Sequence, residues 1–447
     1  KDKIINLPKG VKIDNIYRDN INISTLCDIL ENVKNNIDNR KKKKDKKKKI
    51  GIFSKEKESY SFDEVFSITI FSLLLGVLAC FSVLTILNKG KNYFVLSKEL
   101  AKFVDAYDAI VNNYYKEVDK DKLVESAING MVSSIGDEYT SYSDKDVTDN
   151  FNEAVNGKYM GIGALIMKSE NDLVIYKVFE DSPSYRAGLK DGDIILKLDD
   201  KDTKDMSVND IASIVKNDTN KEVKLLVKRG EENLDITIVK DMVELPVVSG
   251  KVINHNDKKI GYISLSIFSS VASEQFNKEL VKLEKEGISG LVIDVRGNFG
   301  GYLTTVTDIA SYFLKKGDII YKLEVNDKVT VRKDKTKESR DYPVAVLIDK
   351  NSASASEILA SSIKESYNGY VVGTNSYGKG TVQQTLVLSD GSMIKYTIEK
   401  WLTPLGNWIN EEGVIPTNYV ELSSEYLNNP VFENDNQLNK ALELVSK

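Results

Sequence analysis

Apolar positions along the chain fall into four successive patterns. Residues 65–87 carry no charged side chain and include Ile68, Leu73, Leu74, Leu75, Val77, Phe81 and Leu84. As a helix such a run rises roughly 35 Å, enough to cross a bilayer with some tilt. A buried core helix is the competing reading, but uninterrupted apolar runs above about 18 residues are rare in soluble folds. A cleaved signal would have a shorter apolar region near the start of the sequence, whereas this one follows 64 residues. Across 93–153 apolar residues recur at helical spacing (Leu96, Leu100, Phe103, Val104, Tyr107, then Leu123, Ala127, Ile128, Met131, Val132), with a break at 118–121. This predicts a small helical module.

Short β-like runs separated by turn signals follow at 161–167, 173–179, 193–198, 223–228 and 234–239, with a helical stretch at 208–216. They predict a β-rich domain with one main helix over 154–243. Beyond Val247 the pattern alternates: strand 260–265, helix 276–285, buried-type strand 290–295, helix 304–314, a polar excursion at 328–340, strand 345–348, helix 356–365 and strand 370–372. A β-rich remainder runs to Trp401. This α/β layer is assigned to 247–425, and a tail helix to 426–447. The fold class expected is therefore α+β and multi-domain, with an N-terminal transmembrane helix ahead of the folded parts. There is no internal repeat.

Charge adds an orientation. Lysine and arginine number 62 against 67 aspartates and glutamates, a net charge of −5. Residues 40–49 hold nine basic residues and one acid, a local 9 − 1 = +8, so the rest sums to −5 − 8 = −13. A uniformly basic nucleic-acid binder is excluded, and the lysine run lacks the interleaved aromatics of a nucleic-acid patch. It precedes the apolar run closely enough to hold the N-terminus in the cytoplasm, outweighing Lys89 and Lys91 on the far side. The part beyond 87 should then lie outside. Residues 1–64 are expected to be largely disordered, with a short helix at 21–37, and carry no assigned function.

The lone histidine, His255, sits in an Asn-His-Asn stretch, and Cys27 and Cys80 fall in different environments. Histidine-based triads, zinc clusters and disulfides are disfavoured. Leu78-Ala-Cys80 is similar to a lipoprotein cleavage box, but Leu78 is larger than such a site takes and the apolar run continues past it.

Three turns carry candidate chemistry. Arg296-Gly-Asn-Phe-Gly-Gly301 joins a strand to a helix and can present N–H groups to an anion; it lacks the residues of a Walker or dinucleotide loop. Asp349-Lys-Asn-Ser352-Ala-Ser354-Ala-Ser356-Glu357 follows another strand and opens a helix, where the dipole favours developing negative charge; an ordinary helix cap is the alternative. Gly378-Lys379-Gly380 follows a third strand, with Gln383 four residues after the lysine. Together they suggest a serine nucleophile with a lysine general base, the histidine-free form of acyl transfer. The lysine must then be buried enough to lose its proton near neutrality, and Gln383 can orient it without adding charge.

With Asp390-Gly-Ser392 in the same order, these motifs resemble the carboxyl-terminal processing (tail-specific) serine proteases over 93–420. The resemblance implies a PDZ domain at 154–243 and a crotonase-like α/β protease core. It makes Ser354 the nucleophile, Lys379 the base and Gln383 the third member, with Ser352 and Ser356 in support. The oxyanion hole would combine the N–H of Ala355 with that of Gly300 or Gly301. Tyr159-Met-Gly161-Ile162-Gly163 is similar to a PDZ carboxylate loop, and Ser182-Pro-Ser-Tyr-Arg186-Ala-Gly-Leu-Lys-Asp-Gly192-Asp193 to a second PDZ signature. Arg186 is a candidate sensor coupling bound peptide to the active site. Phe299 stands where the family has proline, Thr417 where it has the aspartate of a Pro-Asp pair, and Gly136-Asp-Glu where it often has Leu-Asp-Pro.

The implied protein is a bacterial, single-pass membrane endopeptidase, its catalytic part outside the cytoplasm. It would act on proteins with free, flexible, apolar C-termini, with no metal or organic cofactor and no nucleic-acid partner; assembly into homo-oligomers is left open. Two other classes compete. One is a PDZ receptor on an inactive protease core, which an intact Ser354, Lys379 and Gln383 argue against. The other is a membrane scaffold acting through its lysine-rich tail.

Overall fold

The computed structural model describes residues 62–87, 98–216 and 220–447. The expectations for 1–61, including Cys27 and the helix at 21–37, lie outside the described residues. The chain divides into two units, Lys1–Tyr114 and Tyr115–Lys447.

In the first unit two helices are described, α1 (Phe62–Leu87) and α2 (Lys98–Asn113). Side chains of α1 are described at 65–76 and at Ala79, and the apolar ones are exposed, Phe71 at 66% and Leu73 at 65%. Among the described residues no helix is long and apolar enough to cross a membrane. Much of the expected span, Cys80 included, thus lies beyond the described side chains.

The second unit opens with α3 (Lys120–Ser133), capped by the Asp119 carboxylate, then β1 (Ser141–Ser143) and α4 (Lys145–Asn156), capped by Asp144 and ended by Gly157 at φ 65°. The β-rich part follows as β2 (Lys158–Gly161), β3 (Ala164–Ser169), β4 (Asp172–Val178), α5 (Pro183–Arg186), β5 (Ile194–Leu198), β6 (Lys201–Asp202), α6 (Val208–Lys216), β7 (Glu222–Arg229), β8 (Glu232–Val239) and β9 (Asp241–Glu244). β3, β4, β5, β7 and β8 form an antiparallel sheet, with β6 added at β5. Its core is Leu173, Ile175, Ile195, Leu198, Ile211, Val227 and Ile238. The run expected as one strand at 161–167 is two: Gly163, at φ 75°, breaks it, and a Cβ there would lie 2.3 Å from the Ser182 Cβ. β2 pairs instead with β9 in a two-stranded antiparallel ribbon.

The α/β layer comprises β10 (Val248–His255), β11 (Lys258–Leu265), α7 (Ala272–Lys285), β12 (Gly290–Asp294), α8 (Leu303–Ser311), β13 (Ile319–Val325), β14 (Lys328–Lys333), β15 (Val344–Ile348), α9 (Ala355–Glu365), β16 (Tyr370–Gly373), β17 (Thr381–Val387), β18 (Met393–Leu402), β19 (Asn418–Tyr419), α10 (Ser424–Asn428) and α11 (Asn436–Val445). One sheet runs β10-β11-β12-β15-β16-β19, parallel from β11 onward. β12 and β15 are buried on both faces, as their unbroken apolar runs require. Leu291, Ile293, Val344, Val346 and Ile348 point to α7, α8 and α9, while Val292, Ala345 and Leu347 meet Leu438, Ala441 and Leu442 of α11. The segment expected as a tail helix is therefore the outer cover of this sheet.

A second sheet joins β1, β18, β13 and β14, with β17 on β18. β14 lies in the stretch expected as a polar excursion. Val329 and Val331 alternate with polar neighbours there, but all six residues are exposed, so the pattern is short and buries no face. β1 brings the end of the N-terminal helical region onto the same sheet through the Ser141–Lys395 register.

Candidate active site

Both anion-facing turns leave the carboxyl ends of parallel strands, where open α/β sheets place their sites. β15 feeds Asp349–Ser354 and then α9. Ser354 stands at the N-terminus of that helix with φ 55° and ψ −112°, a strained conformation for a residue with a Cβ. Its two serine neighbours stitch the turn down: Ser352 Oγ donates to Val295 O at 2.8 Å and Ser356 Oγ to Asn298 O at 2.8 Å. Asn298, fully buried, also accepts the Ala353 N–H at its own carbonyl (3.0 Å), donates its side-chain amide to Leu265 O (2.8 Å) and accepts the Gly300 N–H at Oδ1 (2.8 Å). One residue thus joins the glycine turn and β11 through its side chain and the serine turn through its carbonyl.

Gly300 and Gly301 sit at φ 105° and 144°. A Cβ on Gly300 would lie 2.9 Å from the Ser354 Cβ, and one on Gly301 2.3 Å from Phe268 O, so neither position accepts a side chain. The Gly300 N–H is engaged by Asn298. The N–H groups of Ala355 and Gly301 have no acceptor among the described residues.

Lys379 is held by its backbone. Its N–H donates to Glu357 Oε2 (3.0 Å) and its carbonyl accepts the Trp401 indole N–H (2.6 Å), while the Gly380 carbonyl accepts that of Trp408 (3.0 Å). Both tryptophans of the protein are used here. A Cβ on Gly378 would strike the Glu411 backbone at 2.9 Å, and one on Gly380 the Trp408 ring at 2.6 Å, which explains the glycines flanking the lysine. The Lys379 amine is pushed down to about 8, chiefly by burial and secondly by the Lys395 cation, against the opposing pull of Glu357 and Asp137. Its Nζ lies 5.2 Å from the centre of the Tyr139 ring.

Glu357 is the residue that sequence reasoning left without a role. It is fully buried on α9, and its carboxylate accepts from Ser376 Oγ (2.6 Å), Gly378 N–H (2.7 Å), Ser354 N–H (2.7 Å) and Lys379 N–H (3.0 Å). Burial raises its carboxyl, and the four hydrogen bonds work against that rise. It locks the serine turn to the lysine loop. Its place one turn into the helix was visible, but three of its four partners lie 19 to 22 residues further along.

Ser354, Lys379, Gln383, Gly300 and Gly301 line one cavity of about 510 Å³, walled by Phe151 and Val155 of α4, Leu303, Val382 and Trp401. The exposed Phe299 stands at its edge. No hydrogen bond joins Ser354 Oγ to Lys379 Nζ among the described residues. Gln383 Nε2 donates to Thr381 Oγ1 (2.8 Å) and Thr397 Oγ1 (3.2 Å). His255 ends β10 at a hairpin turn and is not part of this lining. Among the described residues no cluster of side chains fits a metal.

In the β-rich domain the Ile162 and Gly163 carbonyls are engaged by the N–H groups of Ser184 (2.8 Å) and Phe179 (3.0 Å). The Ile162 side chain is buried in the domain core, so any contact it makes with a peptide is through its backbone. β3 lies at the edge of its sheet, beside α6. Arg186 is exposed, donating to Asp181 O (2.6 Å) and pairing with Asp241 on β9 (3.2 Å). Asp193, from the second signature, is a structural acid: it is buried and holds Arg229 through two hydrogen bonds of 2.7 Å. Asp390-Gly-Ser392 is likewise structural, the turn between β17 and β18.

Comparison with known proteins gives the family. Residues 259–420 match Peptidase family S41, 174–229 match a PDZ domain and 82–147 match the activating protease CtpB N-terminal domain. Carboxy-terminal processing protease CtpB of Bacillus subtilis (strain 168) is 38% identical over 323 residues, 72% of this chain and 67% of that protein. A probable CtpA-like serine protease of Staphylococcus aureus (strain COL) is 32% identical over 359 residues, 77% and 71% of the two chains. By these matches the chain belongs to peptidase family S41, as a serine-type carboxy-terminal processing protease with a PDZ domain.

Proposed function

We propose that the protein is a membrane-anchored endopeptidase in which Ser354 attacks the scissile carbonyl, neutral Lys379 takes its proton, and the PDZ domain selects substrates by their free C-termini. The observation that carries this is the pairing, in one cavity, of a serine on a strained helix N-terminus with a lysine amine lowered to about 8. At pH 7 about a tenth of such an amine is neutral, against roughly one part in 3,000 for an ordinary lysine. The oxyanion is assigned to the N–H groups of Ala355 and Gly301, because that of Gly300 is already engaged. The Lys379 ammonium returns the Ser354 proton to the leaving amine as the peptide bond breaks, and water activated by the again neutral lysine then hydrolyses the acyl-enzyme.

The substrate tail is assigned to the edge of β3, adding a strand there, with its carboxylate at the N–H groups of the Gly161–Gly163 loop. The uncharged run at 65–87 and the basic run before it support a single span with the N-terminus in the cytoplasm and the catalytic part outside. The domain limits proposed are 65–87, 93–153 and 154–243, with the α/β core running from 247 on through α11, which packs on its sheet.

Hydrolysis of a protein with a free apolar C-terminus, compared with its amidated twin, tests the reading. The full chain should cleave the first faster, and Ser354→Ala or Lys379→Ala should cleave neither. Equal rates on both would remove carboxylate recognition, and activity in either variant would remove the dyad. Resistance of the protein to carbonate extraction, lost on deleting 65–87, tests the anchor.

A further inference from the structure

The loop at 136–140, between α3 and β1, reaches the catalytic centre from the N-terminal helical region. Asp137 Oδ2 accepts the hydroxyl proton of Thr397 at 2.6 Å and that of Thr140, and Oδ1 accepts the Tyr139 N–H at 3.1 Å. Thr140 Oγ1 accepts the Thr397 N–H in return, at 3.2 Å. Thr397 lies opposite Gln383 in the β17–β18 pairing, and its Oγ1 is 3.2 Å from Gln383 Nε2.

Counting protons makes this arrangement directional. An ionised carboxylate only accepts, so each threonine must turn its one hydroxyl proton to Asp137. Thr397 then meets Gln383 with a lone pair, and only the NH2 end of the amide fits there. Thr381 Oγ1, 2.8 Å from the same nitrogen, adds a second acceptor. The carbonyl end of Gln383 is left for the cavity it shares with Lys379.

We propose that Asp137 is a positioning residue of the proteolytic reaction: acting through Thr397, it fixes the Gln383 amide with its carbonyl oxygen available to the Lys379 amine. Its charge acts on the same amine directly. The ionisable groups that face Lys379 are Asp137, Glu357 on α9, Lys395 on β18 and Tyr139. Asp137 favours the ammonium form, while Lys395 opposes it. Burial works against the Asp137 carboxylate, but the hydrogen bonds from Thr140, Thr397 and the Tyr139 N–H hold its carboxyl below the usual aspartate range, so it is charged wherever the enzyme would work.

The inference rests on the Ser354–Lys379 reading, and the test separates the two. Initial rates of the full-length protein on a substrate with a free apolar C-terminus are measured from pH 6 to 10 for Thr397→Val, Thr397→Ser, Asp137→Asn, Ser354→Ala and Lys379→Ala, with thermal unfolding of each. Thr397→Val should lower kcat about tenfold with KM and the acid limb unmoved, and Thr397→Ser should restore it. Asp137→Asn should shift the acid limb to lower pH, because a charge that favours the ammonium is gone. Wild-type kcat and an unmoved limb in both Thr397→Val and Asp137→Asn, with Ser354→Ala and Lys379→Ala inactive, would overturn the role of Asp137 and leave the dyad standing. So would losses that follow thermal stability and leave the limb in place. Activity in Ser354→Ala or Lys379→Ala would remove the dyad and this inference with it.

Discussion

Replacing Glu357 by glutamine keeps the shape of the side chain and removes half of what it does. The carboxylate takes four donors, two at each oxygen: Ser376 Oγ and the Gly378 N–H at Oε1, and the N–H groups of Ser354 and Lys379 at Oε2. An amide has one acceptor oxygen. If its NH2 replaces Oε2, two backbone donors face a third; if it replaces Oε1, the Ser376 hydroxyl can turn but the Gly378 N–H cannot. An unmet buried donor costs about 1–3 kcal/mol. Release of a buried charge offsets part of that, so a net loss of about 2–3 kcal/mol is expected, seen as a lower thermal midpoint. Activity should fall further than stability, because the serine turn and the lysine loop lose their common anchor. A drop of about 100-fold in kcat, with KM within about twofold of wild type, is the expected signature. A Glu357→Gln protein with the thermal midpoint and kcat of wild type would refute the idea that this carboxylate holds the two catalytic turns in register.

Other outcomes follow from the same geometry. The rate should rise with pH through an apparent value near 8, gaining about tenfold from pH 7 to the plateau, since the lysine must be neutral to act and its amine is lowered to about 8; Lys395→Met should move that limb upward, which a pH–rate profile would show. Asp435→Asn should lower stability by about 2 kcal/mol in thermal unfolding, because Arg296, only 14% exposed, would keep Asp294 but lose its other carboxylate. Gly301→Ala should abolish turnover and lower the thermal midpoint, its Cβ meeting Phe268 O at 2.3 Å. Arg186→Ala should weaken the preference for a free over an amidated tail while leaving basal cleavage of an unstructured protein in place; an unchanged preference in that paired assay would show Arg186 to be a surface cation.

What could be found in the sequence was local. The helix expected at 208–216 is α6 with the same limits, and the buried strands β12 and β15 are marked by unbroken apolar runs. Ser354 and Lys379 were marked by the small residues their turns require, Gly378 and Gly380 among them. Hidden from it was whatever depends on partners far along the chain. β14 alternates only Val329 and Val331 with polar residues and buries neither; α11 looks like a tail until β12 and β15 present it Val292, Ala345 and Leu347. Glu357 was quoted as part of a motif, but its meaning comes from Ser376, Gly378 and Lys379. Asp137 was quoted only within a departure from the family's Leu-Asp-Pro, since its partner Thr397 is 260 residues away.

The Arg296–Asp435 pair spans 139 residues and the Asp137–Thr397 bond 260. Both are closures of very long loops, which come late in folding because their entropic cost precedes any reward. One pins the segment that opens into the glycine turn, the other the strand that faces Gln383. During synthesis, a chain that has not yet released Asp435 therefore already contains Ser354 and Lys379 but not the ordered surroundings of the glycine turn. For a protease, whose substrates are polypeptides, late closure would spare its own unfinished chain from attack.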